Sequence, residues 1–114
     1  MTTPSYPGAM MQLDRLIHEP ARLLILSVLA GADEVEFRFL EELSGLSKGN
    51  LSSHMSKLET AELIAVEKSF RGKRPLTTLR ITDSGRSALA EYRQHLAVVM
   101  AAIPDHPSPD VKES

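Results

Sequence analysis

Apolar residues first recur at helical spacing at Leu13, Leu16 and Ile17, which predicts a helix over Gln12–His18 with those three on one side. Pro20 fits the first turn of a second helix, where a missing N–H costs nothing. That helix, Pro20–Ala30, buries Leu24, Ile25, Val28 and Leu29 and stops at Gly31. Val35–Phe37 reads as a short extended piece, and a third helix, Arg38–Ser44, ends at Gly45. Ser47 is a good N-cap for a fourth helix over residues 48–61, with Leu51, Met55 and Leu58 on its core face. The apolar period then shortens to two. Leu63–Phe70 reads as a strand with Ile64, Val66 and Phe70 on one face, Arg71–Pro75 as a polar turn, and Leu76–Ile81 as a second strand. Thr82 and Asp83 cap a last long helix over residues 84–103, with an acid at its positive end. The first nine residues hold two Pro and a Gly, and residues 104–114 hold three Pro and several charges with only Val111 apolar, so 1–11 and 104–114 are expected to be disordered tails around one domain at 12–103.

Helix, helix, helix, hairpin, helix is the layout of a winged helix-turn-helix: mainly α, with a small β-hairpin and a short Gly45 turn between the third and fourth helices. The outward face of the fourth helix carries Gly49, Ser53, Ser56, Lys57 and Thr60, flanked by Asn50 and Ser52. Small hydrogen-bonding residues allow close approach to base edges, while Lys48 and Lys57 can reach phosphates. On this helix alone, a plain solvated surface fits equally well. The hairpin shifts the balance. Its tip places Arg71, Lys73 and Arg74 beside Gly72, whereas a purely structural turn needs one Gly and no cations. Such a tip suits the DNA backbone or the minor groove, where Arg is favoured. His54 lies at the edge of the core face, where a half-buried structural histidine and a phosphate contact both fit. Arg22 can meet a phosphate or pair with Glu19.

The stretch Leu46–Ser47–Lys48–Gly49–Asn50–Leu51–Ser52–Ser53–His54, with Leu58–Glu59, resembles the recognition helix of small winged-helix transcriptional regulators related to the MarR and ArsR groups. Lys68–Ser69–Phe70–Arg71–Gly72–Lys73–Arg74–Pro75, then Thr78 and Thr82–Asp83–Ser84–Gly85–Arg86, resembles the same family's wing and the entry to its last helix. The likeness runs from about Leu13 to Leu96. Glu62 departs from it, standing where the family often has Gly. The resemblance implies a sequence-specific, dimeric DNA-binding regulator. Helix 48–61 would enter the major groove through Lys48, Asn50, Ser52, Ser53, His54, Ser56 and Lys57. Wing 70–76 would contact DNA through Arg71, Gly72, Lys73 and Arg74.

Leu89, Tyr92, Leu96, Val99 and Ile103 are spaced three, four, three, four along the last helix, a coiled-coil-like seam. Leu89 and Tyr92 fit packing on their own domain. The distal half, with Met100 widening the apolar surface, is expected to need a second copy of the chain. Leu13, Leu16 and Ile17 of the partner's first helix are the natural cover. A two-fold dimer would present two recognition helices to half-sites about one DNA turn apart.

A length of 114 residues leaves no room for a second, ligand-holding domain, so any small-molecule effector belongs at the dimer interface. The absence of Cys excludes disulfides, thiolate zinc and iron–sulfur clusters. Gly-rich phosphate loops, HExxH and nucleophile elbows are missing, and His18, His54, His95 and His106 are scattered, so neither an enzyme nor a metal or other cofactor is expected. Residues 1–11 lack a basic, apolar leader, and the most apolar stretch, Leu23–Ala30, falls well short of a membrane span. A cytoplasmic location is expected. The net charge of −2 hides an uneven distribution. Residues 47–86 hold eight Lys/Arg against four Asp/Glu, and the segments on both sides are acidic. Two functions remain open. The first is a homodimeric regulator, a repressor by default, on a pseudo-palindromic operator. The second is a winged-helix module that binds protein and not DNA. A nonspecific architectural DNA binder is a weaker third.

Overall fold

A computed structural model describes residues 6–107. In chain order the elements are α1 (Tyr6–Gln12), α2 (Pro20–Ala30), β1 (Val35–Glu36), α3 (Phe37–Ser44), α4 (Lys48–Thr60), β2 (Ile64–Arg71), β3 (Arg74–Ile81) and α5 (Asp83–Ala102). The three strands form one antiparallel sheet in the order β1-β3-β2. The β2–β3 ladder runs from Ile64 opposite Ile81 to Arg71 opposite Arg74, which leaves only Gly72 and Lys73 in the turn. The loop is therefore tighter than the five-residue turn read from the sequence, and Gly72 takes the positive φ (66°) that a two-residue hairpin needs at this position. Pro75 stands opposite Phe70, next to the Arg71/Arg74 pair that closes the two-residue turn, so its nitrogen faces away from β2 and toward the side where β1 reaches no further than Thr78, and its missing N–H leaves no gap in a ladder.

The core is built by Ile25, Leu26 and Leu29 of α2, Leu40 of α3, Leu51 and Leu58 of α4, and Leu79 of β3, all essentially inaccessible. Helix boundaries follow local chemistry. Glu19 caps α2 by accepting from the Arg22 N–H, Ser47 caps α4 by accepting from the Asn50 N–H, and Thr82 caps α5 by accepting from the Gly85 N–H. Gly45 ends α3 with a left-handed φ of 70° and donates to the Glu41 carbonyl.

The N-terminal region differs from expectation. Residues 12–18 do not form the predicted helix. The Asp14 carboxylate accepts from the Leu16 N–H at 2.9 Å, and this side-chain turn competes with the helical ladder. A helix forms earlier instead, at α1, within the segment expected to be a tail. It packs along α5 with Ala9 fully buried, and Pro7 falls in its first turn, where no N–H is needed. Residues 1–5 and 108–114 of the expected tails lie outside the described residues. Residues 104–107 are exposed.

This rearrangement corrects part of the expected dimer surface. Leu13, Ile17, Tyr92 and Val99 are buried within the chain itself. Leu16, Leu89 and Leu96 are half-buried and pack against the same core. Of the nine residues expected at the interface, Met100 and Ile103 are more than half exposed. The seam on α5 is covered largely by the chain's own N-terminal segment, and the His18 Nδ1 lies 2.9 Å from the Tyr92 hydroxyl. Burial of Tyr92 pushes the pKa of its phenol up.

The end of α4 explains Glu62. The Leu63 N–H donates to the Leu58 carbonyl and the Glu62 N–H to the Glu59 carbonyl, a Schellman arrangement closed by contact between two buried leucines. The motif needs a left-handed residue between them, and Glu62 supplies it at φ 63°. A left-handed non-glycine residue is strained, so Glu62→Gly is expected to stabilise the protein by about 0.5–1 kcal/mol, after the entropic cost of glycine in the unfolded chain. Urea denaturation reads this as a higher midpoint at unchanged m.

Candidate nucleic-acid interface

The helix-turn-helix is formed by α3, the Gly45 turn and α4. Ser44 Oγ accepts from the Leu46 N–H at 3.2 Å, which fixes the short turn. Leu51, Met55 and Leu58 anchor α4 to the core, and this orientation leaves Lys48, Gly49, Asn50, Ser53, Ser56 and Lys57 exposed, with Ser52 half-buried. Neither Lys48 nor Lys57 is in an ion pair among the described residues. A Cβ built on Gly49 meets nothing within 4 Å. The side chain there is small with no internal packing reason to be so.

His54 is placed differently from the other predicted groove residues. Its side chain is 21 % exposed and turns toward α2, with Nδ1 3.1 Å from Arg22 Nη1 and 3.6 Å from Glu19 Oε2. Arg22 Nε in turn donates to the Leu16 carbonyl at 2.6 Å. The cluster ties α4 to the start of α2 through a His54 side chain that is mostly buried. Burial opposes ionisation of Glu19. Hydrogen bonds from the Arg22 and Ala21 N–H groups and the charges of His54 and Arg22 outweigh it and hold the carboxyl below the usual range.

The wing is the β2–β3 hairpin. Gly72, Lys73 and Arg74 are exposed at its tip, and neither cation is in an ion pair among the described residues. Arg71 is exposed as well but pairs with Glu36 of β1 at 2.6 Å. Lys48, Arg71 and Arg74 line one open cleft between the start of α4, the start of α3 and the wing. The recognition helix and the wing thus present their cations to the same space. Phe70, expected on the core face of its strand, is 71 % exposed because the hairpin extends beyond the core. Its place beside the cations makes it a wing-surface residue that alternation alone could not identify. Glu36 was likewise missed, since nothing local to it marks a partner 35 residues away. Among the described residues there is no cluster of three or more His, Asp or Glu suited to a metal ion, and no helix long and apolar enough to cross a membrane.

A three-helix core, a Gly-turned helix-turn-helix and a basic hairpin beside it define a winged-helix domain. Comparison with known proteins agrees. Residues 21–100 match the family model described as a winged helix DNA-binding domain, and the chain belongs to that family. It is 35 % identical over 78 residues, 68 % of its length and 85 % of the relative's, to an uncharacterised protein of Methanocaldococcus jannaschii. Among solved structures it is similar to a transcriptional regulator homologue from Pyrococcus horikoshii OT3, with TM-score 0.72 and 27 % identity over 82 % of this chain and 95 % of that one. A MarR-family putative transcriptional regulator from Porphyromonas gingivalis W83 shares the fold at TM-score 0.60 and 16 % identity, over 78 % of this chain and 86 % of that one.

Proposed function

We propose that this protein is a transcriptional regulator that binds a pseudo-palindromic operator as a homodimer, with α4 in the major groove and the wing on the backbone or in the minor groove. The observation that carries this reading is the shared cleft, which Lys48 from α4 lines together with Arg71 and Arg74 from the wing, beside Arg38, Glu36 and Glu41. Cations from two elements converge on one space beside a helix face of small hydrogen-bonding side chains, as backbone contact plus base readout requires. Repression by occluding a promoter is the simplest outcome for a domain of this size. An effector would bind between the two copies. Selection of bound duplexes from a genomic library tests the reading: enrichment of sites with two-fold symmetry and half-sites about one turn apart supports it. Recovery of no enriched sequence overturns it. In that event the protein-binding alternative gains, and it has its own observation in Phe39 and Leu43, one turn apart on α3 and each about half exposed.

For the dimer, the exposed apolar residues Met100 of α5, Ile103 just after it, and Met10 and Met11 of α1 support a pairing surface at the packed α1–α5 end of the molecule. Met100→Asp is expected to convert the protein to a monomer in sedimentation velocity; the side chain is exposed within one chain, so any fall in the unfolding midpoint reports the lost subunit contact. An unchanged sedimentation coefficient would place the interface elsewhere.

A further inference from the structure

One wing cation already has an anion. Arg71 Nη2 donates to Glu36 Oε1 at 2.6 Å, joining the end of β2 to β1 across 35 residues of chain. Glu36 is the N-cap residue of α3, yet its side chain makes no capping hydrogen bond. Glu19 holds the same position on α2 and does cap, accepting from the Arg22 N–H at 2.8 Å. A carboxylate at an N-cap ordinarily takes one of the first helical N–H groups. In Glu36 it is diverted to the wing instead, inside the cleft that Lys48 and Arg74 also line.

We propose that the Glu36 carboxylate occupies Arg71 in place of a DNA phosphate, and that a phosphate displaces it when the duplex binds. This rests on the DNA-binding function proposed above. The exchange leaves both ions with partners. Arg71 trades a carboxylate oxygen for a phosphate oxygen, and Glu36 trades the guanidinium for the N–H groups of Arg38 or Phe39, the N2 and N3 positions it can cap. The pair is loosely held, since the side chain of Arg71 is 72 % exposed and that of Glu36 38 %. Its effect is on affinity. Every duplex that engages Arg71 must first break its pair with the carboxylate, so the cost of the exchange falls on the phosphate contact itself, whatever the base sequence.

The test is a titration of a selected duplex and an unrelated duplex with the full chain, Glu36→Gln, Arg71→Gln and the double variant. Glu36→Gln is expected to tighten binding by up to about two- to fivefold, the range of an exposed ion pair, with a gain on the selected duplex at least as large as that on the unrelated one. In the Arg71→Gln background the same substitution should leave affinity unchanged. If the gain persists there, or if Glu41→Gln in the same cleft matches it, removal of negative charge suffices and the displacement is overturned. Weaker binding by Glu36→Gln also overturns it, because Glu36 would then be holding Arg71 in its DNA-contacting pose. A wild-type chain that binds neither duplex would instead defeat the DNA-binding function, and the displacement with it.

Discussion

Replacing Gly85 with alanine is expected to destabilise the protein by about 3 kcal/mol or more, a large share of the stability of a domain this size. Gly85 is buried in the first turn of α5, just after β3 ends. A Cβ built there overlaps the carbonyl oxygen of Leu63 and comes within 2.8 Å of Ile81 Cγ1. The Ile81 side chain can rotate away, but the Leu63 carbonyl cannot. It accepts the Thr82 N–H at 3.1 Å, and Leu63 also closes the end of α4. Room for a methyl therefore comes only from shifting α5 against the α4–β2 junction, which costs the Thr82 cap as well as packing. The Arg86 side chain, donating to the Ala30 carbonyl at the end of α2, resists the same shift. Denaturant unfolding measures the loss directly, and a change below about 1 kcal/mol would show that the approach of α5 is looser than described. Gly49→Ala is the contrasting substitution. With open space around it on an exposed helix, it is expected to add up to about 1 kcal/mol of stability. If DNA affinity falls while stability rises, Gly49 is there for close approach to the duplex.

The second large effect concerns binding. Lys73→Ala with Arg74→Ala is expected to weaken association with every duplex sequence by at least about tenfold at moderate salt, and to flatten the slope of log K against log salt by about 3.6 for the dimer, or 0.9 for each of four lost phosphate contacts. Both side chains are exposed at the hairpin tip, so the unfolding midpoint should not move. Asn50→Ala should behave in the opposite way. It should leave the salt slope intact and cost about 1–3 kcal/mol of discrimination at one base position. A double wing variant that binds as tightly as the parent would remove the wing from the interface.

Where a structural signal is local, the chain could be read directly. Ser47 before α4, Thr82 before α5 and Gly45 after α3 cap or end their helices as their chemistry requires, and the eight-residue strands on either side of Gly72 follow the shift to a period of two. The exposed side of α4 was also legible, because Leu51, Met55 and Leu58 define the opposite side. Errors arose where the deciding contact is distant. Leu23–Leu26 are consecutive apolar residues, so spacing could not say that Ile25 and Leu26 would be the buried ones and Leu24 only half so. Phe70 alternates correctly with Ile64 and Val66, but alternation carries no information about where the core stops.

By itself, the sequence determined the winged-helix layout, the recognition helix, the cationic hairpin tip and the basic character of residues 47–86, because each depends on neighbours within a few positions or on composition. Only the tertiary structure decided what covers the stripe on α5, since a three-four spacing shows that a face is apolar and not which surface meets it. The same holds for α1, whose short helix exists because α5 buries Ala9. It holds for His54 and Glu36, whose partners lie 32 and 35 residues away in Arg22 and Arg71. Pairing across that distance is set by the packing of α2 on α4 and by the sheet order β1-β3-β2, and packing is a property of the assembled chain rather than of any stretch of it.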